Sequence, residues 1–174
     1  LGKLAIAATD NSFIQVDWTL MSQAIPVYQS EAIVRVTEGR QAQLFDENSR
    51  DAFYKEAFQI SPDSDRMGYR LNGPQLALTE AKELVSEGIA FGSIQVPPDG
   101  QPIILMADRQ TTGGYPKIGQ IASVDLPKVS QLKPGESIRF EKITLEEAQQ
   151  AMLNERRLIA QLTKSISLKF KEGI

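Results

Sequence analysis

Short apolar runs separated by Gly, Pro, Asn and Asp clusters recur along this 174-residue chain. Runs of this length between turn residues are typical of β-strands. They predict strands at Phe13–Trp18, Ala32–Val36, Phe58–Ile60, the stretch leading into Leu71, Ile89–Val96, Ile103–Ala107, Ile118–Val124 and Ser137–Ile143. Many short strands with few helices indicate a mainly β architecture, either an antiparallel barrel or a sandwich.

Two segments have helical spacing instead. The first has Asp46 as N-cap, and its apolar positions can share one helix face: Leu44, Phe45, Ala52, Phe53 and Ala57. In the second, Thr144 and Glu147 form a capping box ahead of an apolar stripe. That pattern predicts a helix of about 18 residues, roughly 27 Å long, followed by a tail or extra strand over Ser165–Ile174. For Leu76–Glu87, where the apolar stripe is weak, we predict irregular structure.

The stretch from Ile103 to Lys117 concentrates the candidate chemistry. An apolar run turns polar, passes through two glycines, and is followed by a second β-like run. The simplest geometry is a hairpin whose mouth carries Asp108, Arg109, Gln110, Thr111 and Thr112, with Gly113 and Gly114 free to adopt positive φ. An ordinary turn explains the same pattern, because Gly, Asp and Thr are common turn formers. This stretch alone leaves both interpretations open.

Composition narrows the chemistry. The chain has no Cys and no His, which excludes disulfides, thiolate and imidazole catalysis and nearly all zinc sites, and we predict no metal site. Acid–base work within the chain must therefore fall to carboxylates, Lys or Tyr. A net charge of −3 provides no basic surface for nucleic acid. No apolar run has the length of a membrane span, and we expect a cytoplasmic location.

A second polar cluster, comprising Asp65, Arg66, Tyr69 and Arg70, resembles the first in pairing a carboxylate with an arginine. A guanidinium offers rigid bidentate donors for a carboxylate, amide or phosphate ligand. Successive N–H groups around residues 111–114 could also form an anion-binding nest. The alternative is that both acid–arginine pairs are surface ion pairs, each worth less than about 1 kcal/mol.

Taken together, three segments form a specific series: Ser64-Asp65-Arg66-Met67-Gly68-Tyr69-Arg70-Leu71, Gly92-Ser93-Ile94-Gln95-Val96-Pro97 and Ala107-Asp108-Arg109-Gln110-Thr111-Thr112-Gly113-Gly114-Tyr115-Pro116. Asp125-Leu126-Pro127 and Gln131-Leu132-x-Pro134-Gly135 follow at matching spacing. The series resembles the C-terminal half of the allophanate hydrolase subunit 2 family, over most of the chain from Tyr28 onward. One departure is Gly39-Arg40, where the family pattern has Gly-Pro.

The resemblance implies a mainly β, cyclophilin-like antiparallel barrel with one short helix and a C-terminal helix. It also implies a division into a connector with the remnant of an N-terminal domain (1–27), the barrel (28–143), and a C-terminal helix and tail (144–174). Family members carry a further N-terminal domain, and the first residue here is Leu1. We therefore expect the chain to be the C-terminal domain of a larger protein.

Three functions follow from the same resemblance. The leading expectation is a subunit of a bacterial ATP-dependent 5-oxoprolinase, which activates a small cyclic amide together with a KipI-like partner of the allophanate hydrolase subunit 1 family. The alternatives are a KipA-type module that binds an inhibitor of a sporulation histidine kinase, and a biotin-dependent carboxyltransferase domain acting on urea. ATP is the expected cofactor of the first, and biotin that of the last.

The matched motifs supply the candidate site residues. Asp108 and Arg109 are assigned catalytic roles, with the guanidinium holding carboxylate or phosphate oxygens and the acid positioning it. The residues assigned to substrate or nucleotide binding are Arg66, Met67, Gly68, Tyr69, Arg70, Gln95, Gln110, Thr111, Thr112, Gly113, Gly114, Tyr115 and Lys117. These roles are hypotheses that rest on motif position.

Overall fold

The computed structural model describes residues 5–7, 13–15, 19, 25, 27–80 and 84–172. Most of the predicted connector, 1–27, lies outside the described residues, and so does the end of the predicted strand Phe13–Trp18. The domain boundaries predicted from the sequence therefore remain predictions. Among the described helices, none is long and apolar enough to cross a membrane.

The elements follow one another as β1 (Ala5–Ala7), β2 (Phe13–Gln15), β3 (Glu31–Glu38), α1 (Glu47–Lys55), β4 (Phe58–Ile60), β5 (Gly68–Asn72), β6 (Glu87–Gly88), β7 (Ser93–Gln95), β8 (Ile103–Leu105), β9 (Thr112–Gly113), β10 (Lys117–Ile121), α2 (Leu126–Ser130), β11 (Ser137–Lys142) and α3 (Leu145–Glu172). Seven of the strands close into a barrel in the order β10-β3-β11-β4-β5-β8-β7. Neighbours are antiparallel except β3 and β11, which run parallel. The predicted β-barrel with a C-terminal helix is confirmed.

The barrel interior is filled by side chains that the strand patterns turn inward. Along β3, Ala32, Val34 and Val36 are buried while the residues between them face outward, as period-two alternation requires. α1 closes one side through Phe53, which stacks on Phe140 of β11 with ring centroids 4.6 Å apart. Asp46 caps this helix by accepting a hydrogen bond from the Ser49 amide at 2.7 Å. The short helix with its Asp46 cap is therefore confirmed, but the predicted face is wrong in part, since Leu44, Phe45 and Ala57 lie outside the helix.

The predicted hairpin between Ile103–Ala107 and Ile118–Val124 is wrong. β8 pairs with β5 and β7, and β10 pairs with β3 and β7, so β7 lies between the two strands. β7 is buried throughout and bonds to a strand on each side. Because β8 and β10 are both antiparallel to β7, they run in the same direction, and the polar stretch between them is a long connection from one end of the barrel to the other.

The strand predicted over Ile89–Val96 is also shorter in the structure, where only Ser93–Gln95 is extended. Gly92 has φ +80, a left-handed conformation that interrupts the strand, and its amide bonds to the Leu105 carbonyl at 2.8 Å. Residues 76–80 and 84–86 form no helix, in agreement with the irregular structure predicted there.

The capping box of α3 is confirmed, because the Glu147 amide donates to Thr144 Oγ1 at 3.1 Å and the Thr144 amide donates to the Glu147 carboxylate at 2.7 Å. The predicted length is wrong. α3 has 28 residues, roughly 42 Å, and includes most of the predicted tail. The hydroxyls of Thr163 and Ser167 donate to the carbonyls four residues earlier, so their hydrogen bonds are made within the helix.

Candidate functional site

The two predicted clusters meet at the barrel edge where β5 begins and β8 ends, and the ion pair there joins Arg66 of one to Asp108 of the other, in place of the predicted pairs between adjacent residues. Arg66 Nε lies 2.8 Å from Asp108 Oδ2, and the Asp108 amide donates to the Arg66 carbonyl at 2.9 Å. The two side chains are 83% and 51% exposed, so water screens the pair. The Asp65 carboxylate accepts hydrogen bonds from the amides of Met67 and Gly68, so it stabilises its own turn. The structure brings Arg66 and Asp108 together as a surface pair.

Arg109 is turned inward, and its guanidinium joins its own loop to the segment that precedes β7. Its Nε donates to the Ile89 carbonyl and one terminal nitrogen donates to the Met106 carbonyl, both at 3.3 Å. Its guanidinium carbon also lies 5.8 Å from the centre of the Phe91 ring. These contacts brace the loop, which favours the structural interpretation of this residue that the sequence left open.

The remaining residues of the Asp65 cluster are part of the barrel framework. Tyr69 Oη donates to the Ser130 carbonyl at 3.4 Å, and the Arg70 amide donates to Ser64 Oγ at 3.1 Å. Gly68 is buried, and a Cβ there would lie 2.8 Å from the Ile103 side chain. Its role is therefore close packing between β5 and β8.

The two glycines predicted to form a turn lie at a small ribbon. β6 and β9 pair antiparallel, with Glu87 opposite Gly113 and Gly88 opposite Thr112. The described glycines with positive φ are Gly92, Gly100 and Gly135, so Gly113 and Gly114 do not supply the left-handed turn of a nest. The exposed side chains of Gln110, Thr111 and Thr112 lie along this loop. The glycines serve close packing instead, with the Gly113 backbone against the Gln95 amide group.

A partly buried ion pair joins the ribbon to the barrel. Lys117 Nζ lies 2.5 Å from Glu87 Oε1, and the lysine side chain is only 10% exposed. Gln41 supports both partners, since its Nε2 donates to Glu87 at 2.7 Å and its Oε1 accepts the Lys117 amide at 3.2 Å. The pKa of Glu87 is held below its usual value by the hydrogen bonds from Lys117 and Gln41. Next to this cluster, Gln95 Nε2 donates to the Tyr115 carbonyl at 3.2 Å.

Sequence reasoning identified Lys117 and Gln95 but missed Glu87 and Gln41. Gln41 and Glu87 are 46 positions apart, and no local pattern marks either of them. The departure at Gly39-Arg40 would have been a useful signal. A Cβ on Gly39 would lie 2.2 Å from the Lys117 carbonyl oxygen, and Arg40 reaches Glu87 at 3.5 Å. The unusual arginine therefore joins the cluster that contains the buried lysine.

A cleft with a volume of about 710 Å³ lies beside residues 114–116. Four segments, around residues 75–78, 84, 96–100 and 114–116, form its walls, and the lining residues are Gln75, Leu76, Ala77, Leu78, Leu84, Val96, Pro97, Pro98, Gly100, Gly114, Tyr115 and Pro116. All of these are uncharged. Gly114 and Tyr115 are thus the two predicted site residues that border it.

Asp125 of the Asp-Leu-Pro motif is fully buried and structural. Its carboxylate accepts hydrogen bonds from the Arg35 amide at 2.9 Å and from Arg35 Nε and Nη2 at 2.7 and 2.8 Å. Lys128 Nζ adds a contact at 2.9 Å. Burial opposes ionisation, but these donors outweigh it and lower the pKa of Asp125 to about 2. The motif therefore fastens the segment leading into α2 to β3.

The chain belongs to the carboxyltransferase domain family, subdomain A and B, whose family model matches residues 3–142. It is 45% identical over 116 residues to the C subunit of 5-oxoprolinase from Haemophilus influenzae and 44% identical over 129 residues to that from Escherichia coli. These matches cover 67% and 74% of this chain but only 38% and 42% of the relatives, so the chain spans about two fifths of their length.

A solved structure supports the fold. The Kluyveromyces lactis urea amidolyase aligns with a TM-score of 0.73 at 23% identity, covering 79% of this chain and 9% of that chain. At this identity the likeness concerns the fold, which is that of a domain within a much longer enzyme.

Proposed function

We propose that this protein is a subunit of an ATP-dependent 5-oxoprolinase and helps to bind and activate the lactam. The observation that carries the proposal is the identity of 44–45% to two proteins named as the C subunit of 5-oxoprolinase. Because these relatives are named as subunits, we propose that this protein also acts in a complex. We propose that its partner is a KipI-like protein of the allophanate hydrolase subunit 1 family.

Three of the four cations assigned to the predicted site are already engaged by other groups, so this site offers few donors for a nucleotide. A triphosphate needs several converging cationic or amide donors. Arg66 faces Asp108, Arg109 donates to two carbonyls, and Lys117 is buried against Glu87. We propose that the partner supplies the phosphate-binding groups and that the present 174 residues alone are inactive.

The contribution of this chain is then to hold the residues that contact the lactam in a fixed position. The Glu87–Lys117 pair fixes the ribbon against the barrel, and the ribbon carries Thr111 and Thr112 at the surface. Their hydroxyls, with the exposed Gln110 amide, can donate to and accept from the polar edge of a cyclic amide. Because loop residues on a rigid barrel are well placed for recognition, we assign the lactam contacts to this loop.

The test is ATP hydrolysis by the full-length protein mixed with its KipI-like partner, with and without 5-oxoproline. We expect phosphate release that depends on both proteins and rises when 5-oxoproline is added. Tight association of the two proteins without phosphate release would contradict the proposal and support the regulatory alternative of the KipA type.

A second candidate function is carboxyl transfer from carboxybiotin to urea, and the carboxyltransferase name of the matched family favours it. Adding avidin or urea to the same mixture distinguishes the two functions. Carboxyl transfer requires biotin and is blocked by avidin, whereas the proposed lactam activity is unaffected by avidin and unresponsive to urea.

A further inference from the structure

Lys117 has fewer partners than its burial requires. The residue is 8% exposed, and its ammonium group can donate three hydrogen bonds. Glu87 Oε1 lies 2.5 Å from Nζ. Among the described residues no other acceptor reaches this nitrogen, which is itself out of contact with solvent. An underpaired ammonium costs folding free energy when it is buried, which indicates that Lys117 has a role other than stability.

Three donors surround the Glu87 carboxylate. Lys117 Nζ and Gln41 Nε2 approach its Oε1 at 2.5 and 2.7 Å. Arg40 Nη1 approaches its Oε2 at 3.5 Å. These side chains come from β10 and from the segment after β3, whereas Glu87 belongs to the ribbon. Two cations and an amide that converge on both oxygens of one carboxylate have the composition of a carboxylate-binding site.

The site keeps its shape through contacts that do not involve Glu87. The Gln41 amide donates to the Lys117 carbonyl at 3.3 Å, and the Lys117 amide donates to Gln41 Oε1 at 3.2 Å. Beside them, the Gly39 amide donates to the Ile118 carbonyl at 2.9 Å. The backbone therefore holds Gln41 and Lys117 side by side without help from the acid, and a ligand that replaces the acid needs little ordering of the site.

Glu87 is the replaceable member of this cluster. Its side chain is 33% exposed, whereas that of Lys117 is 10% exposed. Its strand, β6, has only two residues and pairs with the equally short β9. The residue opposite Glu87 is Gly113, which has no side chain to hold the acid in place. Rotation of the Glu87 side chain into water therefore frees the three donors and leaves the barrel unchanged.

We propose that Glu87 occupies, in the free protein, the binding site for the carboxylate of 5-oxoproline. The donors of Arg40, Gln41 and Lys117 form the site, and the Glu87 side chain rotates away when the substrate binds. One carboxylate then replaces another, so the buried ammonium keeps an anionic partner. Thr112, which is assigned to the lactam, lies in the strand that pairs with that of Glu87. This inference rests on the proposed function and names the group of the substrate that the barrel recognises.

The test is equilibrium dialysis of labelled 5-oxoproline against the full-length protein assembled with its partner subunits. Glu87→Gln weakens the internal competitor and should bind 5-oxoproline at least about 5-fold more tightly than wild type. Adding Lys117→Met to Glu87→Gln removes the ammonium and leaves no unpaired charge, so the fold should be retained. This double variant should bind about 10- to 150-fold more weakly than Glu87→Gln alone.

Two further variants control for folding. Arg40→Gln, added to Glu87→Gln, tests the site at a side chain that is 83% exposed, and it should weaken binding a few-fold at an unchanged melting temperature. Asp51→Asn with Lys55→Met removes an exposed ion pair of the same 2.5 Å length and should bind 5-oxoproline like wild type. Pyrrolidinone, the same lactam without the carboxylate, should compete weakly with 5-oxoproline, and Glu87→Gln should not strengthen that competition.

A purely structural ion pair gives a different result. Equal 5-oxoproline affinities of Glu87→Gln with and without Lys117→Met would overturn the inference. Unchanged or weaker binding by folded Glu87→Gln would also overturn it. In both cases glutamate formation from 5-oxoproline by the wild-type assembly would leave the proposed function standing. An assembly that forms no glutamate would contradict the proposed function itself.

Discussion

Replacing Asp125 by Asn tests how much the buried carboxylate and its Arg35 donors stabilise the fold. Asp125 is fully buried and its carboxylate receives three N–H groups of the Arg35 residue, which lower its pKa from 3.8 to about 2. A pKa difference of this size corresponds to about 2.5 kcal/mol of stability at neutral pH. An Asn side chain keeps the shape but removes the charge, and we expect the free energy of unfolding to fall by about 2–4 kcal/mol.

The pH dependence of the free energy of unfolding shows whether that loss comes from the charge of Asp125. Because the folded pKa lies below the unfolded one, the stabilisation by Asp125 is complete above about pH 5 and disappears as the pH falls through 2. Urea unfolding at pH 7 should therefore separate wild type from Asp125→Asn clearly, and the separation should shrink to roughly 0.5 kcal/mol near pH 2. Asp51→Asn, which removes an exposed pair with Lys55, is the control and should leave the urea midpoint unchanged. A difference between wild type and Asp125→Asn that is the same at both pH values would refute the reasoning.

Three further substitutions test separate parts of the structure. Gly39→Ala places a Cβ 2.2 Å from a backbone oxygen and should lower the free energy of unfolding in urea by more than about 2 kcal/mol. Gly88→Ala is the control, because its Cβ meets open space, and equal urea midpoints for the two variants would contradict the close packing at Gly39. Phe53→Ala removes a fully buried ring and should cost about 3–5 kcal/mol, and a loss under about 1 kcal/mol would be inconsistent with its stacking in the core. Arg109→Lys should lower the melting temperature while the activity of each folded molecule in the complete assembly stays within about two-fold, because the guanidinium braces the loop through two carbonyls; a large loss of kcat/KM at unchanged stability would restore a ligand-binding role for Arg109.

Local signals in the sequence predicted local structure well. Asp46 and Thr144 mark helix starts because a cap depends on residues three positions apart. The alternating pattern of β3 places Val34 and Val36 inside for the same local reason. The barrel itself was predictable as a class, since many short strands separated by turn residues have few ways to bury their apolar faces.

Pairing between distant strands could not be predicted in the same way. The hairpin expected around Asp108 failed because β7, earlier in the chain, takes the place between β8 and β10. The partnership of Lys117 with Glu87 likewise depends on the ribbon, whose two strands are far apart along the chain. Even the guanidinium of Arg109, a plausible anion ligand by residue type, finds its acceptors in carbonyls that the folded loop presents.

The central claim is that this protein serves a 5-oxoprolinase, and conversion of the lactam tests it most directly. Water added across the amide of 5-oxoproline gives glutamate, so isotope-labelled 5-oxoproline can be followed to labelled glutamate. We expect the full-length protein together with its partner subunits and ATP to form labelled glutamate, and the same mixture without this protein to form none. Equal glutamate formation with and without this protein, or carboxylation of urea by the complete mixture with no glutamate formed, would contradict the account.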